Sequence, residues 1–392
     1  MREETTAVHS GLHPERHQGA VNPPVFHAST ILSRTVEEFR RKRKDWALDR
    51  PGTFYGRYGT PTTDALREAI AALEGGHRTL VYPSGLAACA GALVAFLSSG
   101  DHVLMSDSVY GPTRNFATGF LRRFGVSTTF FDPLLGSAVE ALIKPETRVV
   151  YLESPGSLTF EMQDVPAIAE KAHRRGVTVV ADNTWATPLY FKPFAHGVDV
   201  SVHSATKYIL GHSDAMLGTI TCTREAWPKL KSATYELGQT AGPDDVYLGQ
   251  KGLRTLPVRM KQHCAAGIAL AEWTARQPEV ERVLHPALPG DSGHAIWKRD
   301  FTGAGGLFGV VLKEGVTDAA LCAMIDGLEL YGIGFSWGGY ESLIVPFDPR
   351  EARTATQWPH KGPCFRIHAG LENVDDLIED LEKGFGRLRA AA

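Results

Sequence analysis

The segment VSVHSATKYILGHSD sets Lys207 among Ser201, Ser204 and Thr206, just after a run that reads as a buried strand. A lysine amine drawn out of water is neutral more often, and so attacks an aldehyde better to form an imine. The hydroxyls beside it suit a phosphate. Upstream, VVADNTWATP delivers Asp182 at a strand end, where a carboxylate can pair with a protonated pyridine nitrogen. Taken singly, these features have plainer explanations: a solvated surface lysine, or Asp-Asn turn chemistry. An imine-forming lysine, a pyridinium partner and phosphate-binding hydroxyls in one chain are together what pyridoxal phosphate requires.

Further pieces point the same way. VYPSGLAACAGALVAF reads as strand, tight turn and helix, with Ser84, Gly85 and Leu86 offering free backbone N–H groups at a helix N-terminus. Gly85 would let a phosphate approach the backbone. Tyr110, before Gly111-Pro112, is an aromatic at a strand end that could stack on a pyridine ring. In FYGRYGTPT, Tyr55 and Arg57 lie on one side of an extended segment and carry donors suited to phosphate. They precede the sheet and so could reach another subunit's site. In CFRIHAGLE, Arg366 sits mid-strand, where a guanidinium needs an anion; an amino acid's α-carboxylate fits its two-pronged geometry, and an internal Asp or Glu is the alternative.

The elements that must position these groups alternate. Strand-like runs at 79–82, 102–106, 127–132, 148–153, 177–182, 198–203 and 217–222 are separated by helical patterns at 85–97, 112–124 and 165–175. That alternation predicts a large α/β domain with a mostly parallel sheet covered on both faces. Ligands of such sheets gather at the strands' carboxyl ends, where Asp182 and Lys207 both fall. Thr62 or Thr63 is expected to cap a helix running through Leu73. Residues 1–60 read as an irregular arm, 61–254 as the cofactor-binding domain and 255–392 as a smaller C-terminal α/β domain.

Composition excludes several classes. The 392 residues are 43% hydrophobic and 22% charged, with a net charge of −3, which gives no footprint for nucleic acid or an anionic membrane. The basic run RRKRK lies between acidic residues and reads as a charged helix face. Five scattered cysteines without CxxC spacing argue against a disulfide framework or a metal site and for a reducing compartment. The polar start MREETTAVHSG lacks a signal-peptide core, and the longest apolar run, 87–97, is too short to span a bilayer, so a cytoplasmic location is expected.

From YGRYGTPT to FRIHAGLE, in order, the motifs resemble the Cys/Met-metabolism family of pyridoxal-phosphate enzymes, fold type I. Three features resemble its cystathionine β-lyase branch. SWGGYESLI carries Trp337 and Tyr340, and ESPGSLTFE has Gly-Ser-Leu-Thr where γ-acting branches commonly show Asn-Pro. The third, TYELGQTAGPDDVYLGQKGLRTLPVRM, puts Tyr235 at the position of a substrate-side tyrosine. Leu86 replaces a methionine frequent in the family, at a position that contributes only a backbone amide. The resemblance implies that Lys207 holds the cofactor and shuttles protons, Asp182 pairs with the ring nitrogen and Tyr110 stacks on the ring. Gly85, Leu86, Ser204 and Thr206 would hold the phosphate, joined by Tyr55 and Arg57 of a neighbouring subunit. Lys207, Tyr110 and Tyr55 are then the catalytic residues, and Tyr110, Tyr235, Ser336, Trp337 and Arg366 face an amino-acid thioether substrate. The implied reaction is α,β-elimination of L-cystathionine to homocysteine, pyruvate and ammonia, in a homotetramer built from two dimers. Other transsulfuration activities (γ-lyase, γ-synthase, sulfhydrylase) and a broader cysteine-S-conjugate β-lyase are the enzyme alternatives. A binding protein that keeps the fold without turnover is the alternative of another class.

Overall fold

The computed structural model describes residues 1–391. Strands β1 (Arg78–Tyr82), β2 (His102–Ser106), β3 (Ser127–Phe131), β4 (Thr147–Glu153), β5 (Thr178–Asp182), β6 (Val200–Ser204) and β7 (Gly218–Cys222) form one sheet, ordered β1-β7-β6-β5-β4-β2-β3. From β3 to β6 the neighbours run parallel, while β7 is antiparallel to both β6 and β1. The sheet is buried on both faces, as near-continuous apolar strands require. Leu104, Val150, Leu152, Val179 and Ala181 pack toward the helix Val165–Arg174, while Val103, Met105, Val149, Val180 and Val202 face the helix Gly85–Val94. The period of two therefore decides which side each strand-end residue takes. Asp182 shares its face with Val180 and looks toward Gly85–Val94.

A second sheet follows, of β8 (Val280–Leu284), β9 (Leu307–Leu312), β10 (Leu343–Phe347) and β11 (Cys364–His368), antiparallel throughout in the order β10-β11-β9-β8. Its core, with Phe308, Phe365, Leu377, Leu381 and Phe385, is closed by the helices Asp318–Asp326 and Val374–Ala391. Arg366 sits at the centre of β11, opposite Val345 and Gly309.

Four expectations are corrected in detail. The expected domain boundary after residue 254 falls inside one continuous helix, Pro243–Ala275, which packs against Pro61–Glu74 and against β8. The first 60 residues are not wholly irregular: Glu3–His9 and Val36–Ala47 are helical, and the latter carries the RRKRK run behind a Thr35 cap. The helix expected to be capped by Thr62 or Thr63 starts at Pro61, with Thr60 at its N-cap. Thr62 instead donates its hydroxyl to Pro24 O (2.8 Å) and accepts the Phe26 N–H (2.9 Å), tying down the arm. Finally, the helix expected over 112–124 is a short α-segment, Gly111–Asn115, followed by a π-helical turn, Phe116–Leu121, with Thr118 bonded back to Arg114 O. No helix among the described residues is long and apolar enough to cross a membrane.

Candidate active site

The carboxyl ends of β4, β5 and β6 open into a cavity of about 980 Å³, whose far wall comes from the second sheet. Lys207 lies in the turn after β6, its N–H bonded to Ser204 O and its own C=O accepting from Gly211 N–H. Lys207 Nζ is 2.5 Å from Ser336 Oγ and 5.4 Å from the centre of the Trp337 ring. Burial, then the Arg366 charge, pull the amine down to about 8, with Asp182 opposing. A lysine in that range spends an appreciable fraction of its time neutral near physiological pH, as a nucleophile or proton carrier needs. The loop bearing Ser336 is pressed against the lysine's backbone. A Cβ at Gly338 (φ +88°) would come within 2.8–3.0 Å of Lys207 and Tyr208 main-chain atoms, and Ser336 itself sits at φ +82°, a strained conformation for a non-glycine residue.

Asp182 ends β5 on the cavity floor. Its Oδ1 accepts from Thr184 N–H (3.0 Å) and Thr184 Oγ1–H (2.5 Å), and its Oδ2 from the Cys89 thiol (3.7 Å). Beside it in register, at the end of β4, stands Glu153, which accepts the Tyr110 N–H at 2.7 Å. Burial raises both carboxyls, and the Asp182 charge raises Glu153 further. Two acids side by side on a dry floor are poised to receive a cation. Sequence reading missed Glu153, although the signal was the one that found Asp182: a carboxylate closing an apolar strand.

The helix Gly85–Val94 begins at the cavity wall. Ser84 Oγ caps it by accepting the Ala87 N–H, and Ser84 O accepts the Ala88 N–H. The Gly85 and Leu86 N–H groups, both on the cavity lining, take no partner among the described residues. Glycine at 85 has a reason beyond phosphate access, since a Cβ there would lie 2.4–2.5 Å from the Ser204 side chain. Ser204 Oγ is also without a partner among the described residues, whereas the Thr206 hydroxyl is engaged with Leu217 O and N–H. Unpaired amides at a helix N-terminus with a free hydroxyl beside them make an anion cradle.

Tyr110 lines the cavity from the N-cap of Gly111–Asn115, the residue 44% exposed. Across from it, Arg366 donates to Ser336 O at 3.0 Å and has no carboxylate partner among the described residues. Burial holds its guanidinium down at about 10. Among the described residues, no internal Asp or Glu answers it.

Tyr55, Arg57 and Tyr235 do not line this cavity; they meet one another elsewhere. Arg57 Nη1 donates to Tyr235 O (2.7 Å) and Nη2 to Tyr58 Oη (3.1 Å), while the Tyr235 and Tyr58 rings sit edge to face at 5.0 Å. Trp46 stacks on Tyr58 at 4.3 Å, so the arm's aromatics hold all three residues away from Lys207 of the same protomer. Ser336, Trp337 and Arg366 do converge on Lys207.

The residues present fit pyridoxal phosphate: an amine of lowered basicity, carboxylates for a ring nitrogen, an anion cradle with unpaired donors, and a guanidinium left for the carboxylate of an amino-acid substrate. Among the described residues no His, Cys, Asp and Glu cluster could hold a metal ion.

Comparison with known proteins agrees with this chemistry. A model of Cys/Met metabolism PLP-dependent enzymes matches residues 4–386. A putative cystathionine beta-lyase from Rhizobium johnstonii is 45% identical, over 98% of this chain and 96% of that protein. Cystathionine beta-lyase MetC from Escherichia coli is 43% identical, over 98% of each. Among solved structures, metB from Corynebacterium glutamicum superposes with a TM-score of 0.91 at 29% identity, covering 99% of this chain and 98% of that one.

Proposed function

The chain belongs to the Cys/Met metabolism PLP-dependent enzymes, and within that family we propose that it is a carbon–sulfur lyase cleaving L-cystathionine by α,β-elimination. The products are homocysteine, pyruvate and ammonia. The observation that carries the reading is a single one: Lys207 Nζ stands on Ser336 Oγ in a cavity that also holds Asp182 and an arginine without an internal carboxylate.

Lys207 would hold the cofactor, with Asp182 toward its ring nitrogen, Tyr110 against its ring, and Gly85, Leu86, Ser204 and Thr206 about its phosphate. Bound there, pyridoxal phosphate supplies a sink for the electron pair left when a proton departs from the substrate Cα. Arg366 takes the substrate α-carboxylate, which orients Cα toward Lys207. The Lys207 amine, lowered to about 8 by burial and by Arg366, removes the Cα proton at Nζ, and Ser336 Oγ holds Nζ in line. Trp337, over the lysine, excludes water from the proton while it is in transit. The Cβ–S bond breaks, the sulfur takes back a proton from Lys207 Nζ and leaves as the thiol of homocysteine, and water hydrolyses the remaining aminoacrylate to pyruvate and ammonia.

Tyr55, Arg57 and Tyr235 fit this scheme as groups presented to a neighbouring subunit, Tyr55 and Arg57 to its phosphate and Tyr235 to its substrate. What supports it is their gathering in one arm cluster away from their own cavity. The assembly is then a homotetramer of two dimers, working in the cytoplasm.

Product analysis tests the reaction. Purified, cofactor-loaded protein given L-cystathionine should release pyruvate and homocysteine in equal amounts. Release of 2-oxobutyrate and cysteine would assign the chain to γ-elimination instead. Cystine and cysteine conjugates in the same assay rank the breadth of its β-elimination.

A further inference from the structure

The turn after β2 carries a carboxylate, Asp107, for which the reaction has no use, and its side chain is wholly buried. Arg114 Nη1 meets Oδ1 at 2.9 Å. The remaining acceptor capacity goes to a segment almost 250 residues further along the chain. The N–H groups of Thr354 (3.0 Å), Ala355 (2.9 Å) and Thr356 (2.9 Å) all point at Asp107, with the Thr356 hydroxyl at 3.0 Å. Arg114 closes the ring through Nη2 to Thr354 Oγ1 at 2.6 Å, its guanidinium lying 3.6 Å from the centre of the Phe130 ring. Backbone donors of an ordinary connecting loop face water. Here consecutive ones converge on a single buried anion.

The same segment has a second anchor. Arg353 Nη2 donates to Glu161 Oε1 at 2.6 Å and Arg353 Nε to Thr356 Oγ1 at 2.8 Å. Neither anchor lines the cavity itself, but each stands on a segment that leads into its wall, Asp107 three residues before Tyr110 and Glu161 next to Phe160. Asp107 opens the turn that ends at Tyr110, and Ser157 N–H donates to Ser108 O at 2.7 Å, which ties that turn to the loop whose Pro155, Gly156 and Leu158 line the cavity. On its other side the segment runs between β10 and β11, the strand that bears Arg366. Residues 353–356 therefore strap the wall carrying Tyr110 to the sheet carrying Arg366.

We propose that Asp107 is a positioning residue: by holding 353–356 as a strap, it fixes the span between Tyr110 and Arg366 and so aligns the substrate carboxylate with the cofactor ring. The proposal rests on the roles given to Tyr110 and Arg366 above, while the strap itself can be read without them. Among the described residues the Asp107 carboxylate accepts every hydrogen bond it makes, so it works as the anion. An Asn there keeps the shape but turns an NH₂ toward N–H donors and leaves Arg114 without its counter-charge.

The test uses cofactor-loaded Asp107→Asn protein. Trypsin cleavage after Arg353 should accelerate at least about tenfold as the strap opens more often. The KM should rise about tenfold while kcat changes less than about threefold, because alignment of the substrate carboxylate is lost before chemistry is. The visible circular dichroism of the bound cofactor should change with it. Accelerated cleavage with unchanged KM and dichroism would overturn the positioning role, reducing the strap to a tether. A lowered melting temperature with cleavage, KM and dichroism unchanged would overturn both. Should Asp107→Asn fail to fold, Thr356→Ala, which removes one hydroxyl, is expected to move the same readouts in the same direction by less. A folded Thr356→Ala protein with wild-type cleavage and KM would count against the proposal. If the wild-type protein does not turn over cystathionine, the functional reading fails separately, and cleavage and dichroism still decide the strap.

Discussion

Replacing Arg366 by leucine separates an arginine kept for substrate from one kept for the fold. The guanidinium is held down at about 10, well below its ordinary value, with burial as the main cause and Tyr110 opposing. Both values lie above neutral pH, so the proton stays bound in folded and unfolded chains alike, and the folded state carries the whole penalty on the charged form. That penalty is on the order of 3 kcal/mol. Among the described residues, the one hydrogen bond set against it is to Ser336 O, at 3.0 Å. Arg366→Leu should therefore leave the melting temperature of the substrate-free protein unchanged or slightly higher, with cofactor still bound. Binding of substrate is another matter, because its α-carboxylate would lose its partner in a dry site. Truncating one member of such a pair costs about 2–5 kcal/mol, a fall in kcat/KM of roughly thirtyfold to several thousandfold, expressed mostly in KM. Differential scanning calorimetry and steady-state kinetics with L-cystathionine read the two effects separately. A melting temperature lowered by several degrees, with KM unchanged in the protein that folds, would refute the reasoning and make Arg366 a structural residue.

The lowered Lys207 amine gives a pH dependence. With its value near 8, the neutral form grows as pH rises, so the rate at which cofactor-free protein takes up pyridoxal phosphate should climb through about pH 8 and level off above it; a flat profile from pH 6 to 10 would contradict the placement of Lys207. Arg366→Leu should shift that profile upward, because Arg366 is one of the charges that lower Lys207. Gly85→Ala puts a Cβ 2.4–2.5 Å from the Ser204 side chain, and the overpacking should cost about 1–3 kcal/mol of stability with weaker cofactor retention, measured by dialysis; normal retention would mean the helix start tolerates displacement. Mixing Lys207→Ala subunits with Arg57→Ala subunits should restore activity in hybrids if the arm serves a neighbour, and no recovery despite proven exchange of subunits would place Arg57 outside the site.

What could be read in the sequence was whatever a strand end or a helix start exposes locally. Asp182 closes an apolar strand whose period fixes its side of the sheet, Lys207 follows a strand in the turn just past its end, and Ser84-Gly85 announces a helix start in any fold. Glu153 obeys the same rule as Asp182, closing an apolar strand, but no neighbouring group of its own chemistry marks it in the sequence. The partners of Asp107 were out of reach of any local pattern, because nothing near residues 354–356 marks them as facing a turn after β2. The cluster of Arg57 and Tyr235 is likewise a product of packing across 178 positions, and it moved both away from the cavity where a one-chain reading would have put them. The helix Pro243–Ala275 ran straight through the expected boundary at residue 254 because helical periodicity carries no information about which sheet a turn of helix will cover.

The central claim is that the chemistry is organised on Lys207. Reduction of the purified, cofactor-loaded protein with sodium borohydride, followed by peptide mapping with mass spectrometry, tests it most directly. The phosphopyridoxyl mass should appear on the peptide containing Lys207, with loss of the yellow colour, and it should be absent from Lys207→Ala protein treated in the same way. The same mass on a peptide bearing any other lysine, or retained in Lys207→Ala, would contradict the account.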